Sequence, residues 1–382
     1  MASTDITIAV VGAGEMGRSA LAHLARRLPD ARFRVIDLNA NNLAKAVALD
    51  PRRITAEQIN YRETTPDLRG VALVANFAGP FYLGSNALAR IAIAAGCDYF
   101  DICDDTEGIH PILDLDLDAK AADVTLVTGG GNSPGTSNLM AKRLLELNPD
   151  ADGIRIVWVA DDVDPGGLAP LRHMLHMTVA SCPIWQDGRF VDAPGFVPCT
   201  ARTHRLPVLG DVEAYNTAHS ETITLARAFP HLRHISVQGA LHPAWASEAF
   251  STLGRIGFGF SDLSVQVGEH TVDPVEVLWK VLWARHDIRP NVRSGLSLQQ
   301  VQALAGDDIV ATMTYWDRAN MARTTGLSAA SQIIAMLDGN PPSGAWGTEV
   351  LPAQPTLALF EEISAEIGAV PDGILLDTPV AA

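Results

Sequence analysis

Apolar residues come in short runs along the first part of this chain, separated by amphipathic stretches and glycine-bearing turns. Ile6 to Val11 and Phe33 to Ile36 predict buried strands. Val71–Phe77, closed by Ala78-Gly79-Pro80, reads the same way, as do Asp98–Ile102 and Val124–Val127. Between them, Asn86–Ala95 is alanine-rich and stopped by Gly96, and Ile112–Ala122 follows a helical pattern. Alternation of this kind predicts an α/β fold with a doubly wound parallel sheet and right-handed crossovers. Ligands in such sheets sit beyond the carboxyl ends of the strands. The loops to watch are therefore Gly12–Gly17, Asn76–Tyr82, Asp101–Glu107 and Gly129–Gly135.

After a helix predicted over Ser137–Leu147 the periodicity changes. Ile154–Ala160, Phe258–Val267 and Ile309–Tyr315 alternate as strands do, with a helical segment at Pro274–Arg285. This predicts a second α+β domain with a mostly antiparallel sheet. Ser328–Leu337 and Pro355–Ile367 read as helices, with Pro341-Pro342 between them. The expected division is residues 1–130 for nucleotide, 131–325 for substrate and dimerisation, and 326–382 as carboxyl-terminal helices.

The first strand runs into Gly12-x-Gly14-x-x-Gly17, and the second ends in Asp37, twenty residues further on. With a strand before it and a helix after it, this is the dinucleotide fingerprint of a Rossmann fold. Gly12 serves the tight turn, Gly14 lets backbone approach a pyrophosphate, and Gly17 lets helix pack on sheet. Asp37 stands where a carboxylate accepts both ribose hydroxyls and repels a 2'-phosphate, and Leu38, Asn39 and Ala40 after it offer no arginine. NAD is the favoured cofactor; Arg18 and Lys45 keep NADP as the second reading. Gly12, Gly14, Glu15, Met16, Gly17, Asp37 and Leu38 are the expected cofactor contacts. Asn76, Ala78, Gly79, Pro80 and Asp101, at later strand ends, complete the set.

Composition narrows the partners. The formal net charge of -16 repels nucleic acid, and no basic run offsets it. No apolar run approaches the roughly twenty residues a membrane helix needs. The start, Met1-Ala-Ser-Thr-Asp, lacks a basic leader, so a cytoplasmic protein is expected, with Cys97, Cys103, Cys182 and Cys199 as free thiols.

Several stretches together resemble the saccharopine dehydrogenase-like oxidoreductases. They are V-G-A-G-E-M-G-R, the N-F-A-G-P-F from Asn76 to Phe81, the A-A-G-C-D-Y-F-D-I from Ala94 to Ile102, and the turn through Asn132-Ser133-Pro134-Gly135. His219 to Leu225, Thr324-Thr-Gly326 and Gly347-Thr-Glu349 extend the likeness over nearly the whole chain. Layout and length are most similar to the lysine 6-dehydrogenase branch. The resemblance implies hydride transfer between a nicotinamide and the carbon of an amine or imine in an amino-acid-like substrate. It also implies a homodimer or larger assembly and a carboxyl-terminal segment that folds back onto the nucleotide domain.

Amine oxidation requires a neutral amine and a group to take its proton; imine reduction requires a donor. Asp101, Asp104, Asp105 and Glu107 crowd one strand-end loop, where neighbouring carboxylates raise one another's pKa, and Asp104 is the favoured site residue. The alternative is a solvated acidic loop or a helix cap. His219 and Glu221, two apart, share a face if they lie on a strand, and are the other catalytic candidates. Tyr82 and Asn132 are expected at the substrate, with Arg172 or Arg323 to hold a carboxylate. His173 and His176 are i,i+3 on a helix without a third spaced ligand, so packing is expected rather than metal. Two other classes compete: a nucleotide sensor without turnover, and a hydrolase using Ser133 in Gly131-Asn-Ser-Pro-Gly135. Pro134 argues against the hydrolase, because the oxyanion hole needs an N–H at that position.

Overall fold

A computed structural model describes residues 6–84, 86–161, 168–260, 262–284 and 295–378. The chain begins with β1 (Thr7–Val11), α1 (Glu15–Arg27), β2 (Arg32–Asp37), α2 (Ala40–Val47), β3 (Ile54–Gln58) and β4 (Leu73–Asn76). It continues through α3 (Asn86–Ala95), β5 (Asp98–Asp101), α4 (Thr106–Leu113), α5 (Asp116–Ala121) and β6 (Thr125–Thr128). Every residue of β4 and β6 is buried, as expected for parallel strands covered on both faces. The helix expected over Ile112–Ala122 is in fact two, α4 and α5, broken at Asp114-Leu115.

The second half adds α6 (Ser137–Leu147), β7 (Gly153–Asp161), α7 (Leu168–His176), β8 (Cys182–Gln186), β9 (Arg189–Ala193), β10 (Arg202–Leu206) and β11 (Gly210–Asn216). Then come α8 (Glu221–Ala228), β12 (His234–His242), α9 (Trp245–Leu253), β13 (Val265–Val267), β14 (His270–Val272), α10 (Pro274–Ala284), β15 (Ser297–Ala305) and β16 (Asp308–Asp317). The chain ends with α11 (Met321–Gly339), β17 (Gly344–Gly347), α12 (Ala353–Ile367) and β18 (Leu375–Asp377). The second sheet runs β10-β11-β12-β7-β15-β16-β18, and along this path β12–β7 alone is parallel. Alternation along β7 sends Ile154, Ile156, Trp158 and Ala160 into the main core and Val157 and Val159 to the opposite face.

The strand expected over Phe258–Val267 is a correction. Gly259 interrupts the run, residues up to Phe258 are helical, and among the described residues Val265–Val267 pairs only with β14. The last residue of the helix expected at Pro274–Arg285 lies outside the described residues.

All pairs of the first sheet are parallel, in the order β17-β6-β5-β4-β1-β2-β3. Its edge strand β17 comes from the far end of the chain. The helix before it, α11, packs across α1, where Ser19 Oγ donates to Arg323 O at 3.4 Å. Among the described residues no helix is long and apolar enough to cross a membrane.

Candidate active site

Gly12 turns the chain out of β1 with φ +90°, and its N–H donates to Ile36 O at 2.8 Å. A Cβ at Gly17 would lie 2.0 Å from Gly12 O, so helix and turn touch backbone to backbone. Gly14 differs: a Cβ there would meet no heavy atom within 4 Å, because this side of the turn faces open space. Gly14 caps α1 without a side chain, leaving the first N–H groups and the positive dipole end of the helix open to the cleft. This cradle fits an anionic diphosphate. Asp37 Oδ2 accepts the Ala13 N–H at 2.6 Å and Oδ1 accepts the Asn39 N–H at 2.7 Å. The carboxylate is thereby fixed on the wall of a pocket of about 370 Å³ shared with Gly12, Gly14, Leu38 and Ala78.

A second cleft, about 420 Å³, starts at the same glycine loop, including Glu15, Met16 and Gly17, and passes Gly79 and Pro80. It ends among Asp104, Ser133, Trp158, His173 and His219. Asp104 follows β5. Its neighbour Asp105 is buried; Oδ2 accepts the Tyr82 N–H at 2.9 Å and Oδ1 lies 2.7 Å from His173 Nδ1. His173 Nε2 stands 3.4 Å from Asp104 Oδ2 and 3.4 Å from His219 Nε2. His219 is stacked by Trp158 with ring centroids 5.4 Å apart, and its Nδ1 lies 3.4 Å from Glu221 Oε2. Glu221 heads α8 and is fully buried. Its Oε1 accepts from Ser133 Oγ at 2.5 Å and from Ser137 Oγ at 3.0 Å.

Charge follows from this packing. Burial pushes the Asp104 carboxyl up to about 6, against the pull of His173. Burial opposes charge on His173, but Asp104 and Asp105 outweigh it and raise the imidazole to about 9. Burial also works against Glu221, yet the His219 ring and the Ser133 hydroxyl hold its carboxyl below the ordinary value. Asp104, Asp105 and His173 offer ligand atoms within 4.8 Å of one another. His173 places one ring nitrogen against Asp105 and the other between Asp104 and His219.

Residues 8–151 match the model of the family described as the saccharopine dehydrogenase NADP binding domain. That match lies wholly within the amino-terminal part that carries the first sheet. Over the full chain the fold is similar to saccharopine dehydrogenase (L-Glu forming) of Saccharomyces cerevisiae, with a TM-score of 0.68 at 14% identity over 98% of this chain and 100% of that one. Looser likenesses are to GenD2 from gentamicin A biosynthesis in complex with NAD (TM-score 0.42, 16% identity, 100% and 98% covered) and to a probable dehydrogenase from Thermotoga maritima (TM-score 0.42, 12% identity, 96% and 98% covered). No curated protein sequence matches the chain.

Within this saccharopine dehydrogenase-like fold the sequence candidates divide. Asp104 and His219 meet at the cleft, and Glu221 stands behind them. His219 and Glu221 are not on a strand: Glu221 opens α8, and the pair meets through the tight turn before it. Asn132 lines the cleft, but its Nδ2 donates to Ser297 Oγ at 3.0 Å and its Oδ1 accepts from the Tyr315 hydroxyl. Asn76 is buried behind the wall, shaping the turn through Ala78 N–H at 3.0 Å. Asp101 is likewise no cofactor contact: it is fully buried and its Oδ1 accepts from Thr128, Cys103 and Gly129, tying β5 to β6. Tyr82 stacks on His176 at 4.2 Å, outside the cleft lining, and His176 pairs with Glu107 at 3.1 Å. Arg172 is bound to Asp273 at 2.5 Å and Arg323 to Asp317, so neither faces the cleft. Ser133 gives its proton to Glu221 rather than to an imidazole, which removes the base a hydrolase needs. His173 joins the site although the sequence predicts only packing for it. Its i,i+3 spacing to His176 was visible, but the acidic loop it meets lies some seventy residues upstream.

Proposed function

We propose that this protein is a nicotinamide-dependent dehydrogenase acting at a C–N bond of a small amine or amino-acid-like substrate, with NAD preferred. One observation carries the reading: the cleft that begins at the glycine cradle ends at Asp104, His173 and His219. A bound nicotinamide supplies the hydride acceptor or donor. The glycine loop and the α1 N-terminus fit its diphosphate, and Asp37 fits the adenosine ribose. The family description names NADP, but a fixed carboxylate at that position favours the unphosphorylated sugar by charge.

Asp104 pairs with a substrate ammonium and, with its carboxyl at about 6, accepts a proton from it near neutral pH. In the reverse sense the protonated acid gives that proton to an imine nitrogen. His173 stays charged beside Asp104 and steadies the carboxylate between turnovers. Trp158, Met174 and Pro80 supply apolar walls that exclude water.

The test is an absorbance assay at the reduced-nicotinamide band. It screens lysine, ornithine, diamines and aldehyde–amino acid pairs with both cofactors, on wild type and on Asp37→Arg. Turnover with an amine and NAD, and a shift toward NADP in the variant, is the expected result. Turnover confined to hydroxy compounds refutes the C–N assignment; equal loss of both cofactors in Asp37→Arg refutes the ribose assignment.

A further inference from the structure

Glu221 has no access to the cleft, yet two cleft-lining groups depend on it. Its side chain is 0% exposed. An ionised carboxylate only accepts hydrogen bonds. Ser133 therefore spends its one proton on Glu221 Oε1 at 2.5 Å, and Ser137 spends its own on the same atom at 3.0 Å. What Ser133 shows the cleft is lone pairs. On the other side, Glu221 Oε2 lies 3.4 Å from His219 Nδ1, and His219 Nε2 faces His173 Nε2 at 3.4 Å. One of the two N–H groups of Asn132 Nδ2 is taken by Ser297 Oγ. Asp104 is a further acceptor on the same wall.

We infer that Glu221 is a positioning residue that fixes Ser133 as a hydrogen-bond acceptor toward the cleft and so selects an ammonium over a hydroxyl. The inference rests on the C–N reading above and names what enforces it. An ammonium brings three N–H donors to Ser133 and Asp104; a hydroxyl brings one, and its lone pairs find no partner at Ser133. In Glu221→Gln one carboxylate oxygen becomes an NH2 donor. Placed at the Oε1 position, that NH2 takes the acceptor from Ser133 and Ser137 and releases the Ser133 hydroxyl to donate into the cleft.

The test is calorimetric binding of 1,4-diaminobutane and of 1,4-butanediol to the NADH-loaded protein. Wild type is expected to favour the diamine by tenfold or more. Glu221→Gln should cut that preference by about tenfold while binding NADH as wild type does, a separation that general structural damage does not produce. Ser133→Ala should cut it similarly, and the double variant should lose no more than the larger single loss, because one residue acts through the other. An unchanged preference in Glu221→Gln, or losses that add in the double variant, overturns the inference and leaves the dehydrogenase reading standing. If Glu221→Gln fails to bind NADH, Ser133→Ala decides alone: an unchanged preference there overturns it equally. A wild-type protein that binds NADH but shows no preference for the diamine removes the C–N reading itself.

Discussion

Replacing Gly14 with alanine separates cofactor binding from folding. The structure gives both magnitudes. Gly14 has φ -62° and ψ -170°, a region open to alanine, and a Cβ there meets no protein atom within 4 Å. Alanine is a poorer helix N-cap than glycine by about 0.5–1 kcal/mol. Against this, removing a glycine from the unfolded chain stabilises by about 0.4–1 kcal/mol. The two offset, so the melting temperature should stay within about 2 °C of wild type. The new methyl instead occupies the space in which a diphosphate approaches the α1 N–H groups. Losing one hydrogen bond to a charged group costs about 1.5–3 kcal/mol, which is a roughly 10- to 150-fold weaker Kd. Fluorescence titration with NADH reads the second effect and a thermal melt the first. Gly17→Ala is the contrast: its Cβ would lie 2.0 Å from Gly12 O, so that variant should lose stability before ligand is added. Wild-type affinity in Gly14→Ala would refute the placement of the diphosphate. A large melting loss in Gly14→Ala would refute the claim that the space is open.

Two further predictions follow from buried charge. His173 is raised from 6.5 to about 9 in the folded chain, so its contribution to stability is complete below pH 6.5 and is lost as pH climbs through 9. Melting temperatures between those values should therefore fall more steeply in wild type than in His173→Gln, and parallel slopes would contradict the pairing with Asp104 and Asp105. Burial pushes the Glu349 carboxyl up toward its neutral form, while its Oε1 accepts from Asn138 at 2.5 Å and Thr224 at 2.7 Å. Glu349→Gln should melt near wild type, whereas Glu349→Ala strands two buried donors and should cost about 1–3 kcal/mol for each; equal behaviour of the two in denaturant titrations would show the acceptor to be unimportant.

What the sequence disclosed, and what it concealed, divides by distance along the chain. The glycine fingerprint is legible because strand, turn, helix and Asp37 are contiguous, and each residue type there answers a local demand of backbone geometry. Asp104 was reachable because carboxylates crowd one loop. His219 and Glu221 do pair, but not across a strand face, since Glu-Thr-Ile-Thr is rich in β-branched residues while burial in the core holds it helical. His173 escaped because its carboxylate partners, Asp104 and Asp105, lie some seventy residues upstream, and an i,i+3 histidine pair looks the same whether it packs or protonates. Arg172 and Arg323 illustrate the reverse error. Each looked available in sequence, and each is held by an aspartate that only the fold reveals, Asp273 on the approach to α10 and Asp317 at the end of β16.

The strand at Gly344–Gly347 gives the nucleotide-binding sheet a dependence on late synthesis. Its backbone caps β6, so that during translation the amino-terminal sheet keeps one raw flank until more than two hundred further residues have been made. A fragment cut after the region that the family description covers would carry that flank permanently, with the hydrogen-bonding groups of β6 free to recruit a stranger's strand. The edge of the cofactor half's sheet is therefore completed by the far end of this polypeptide.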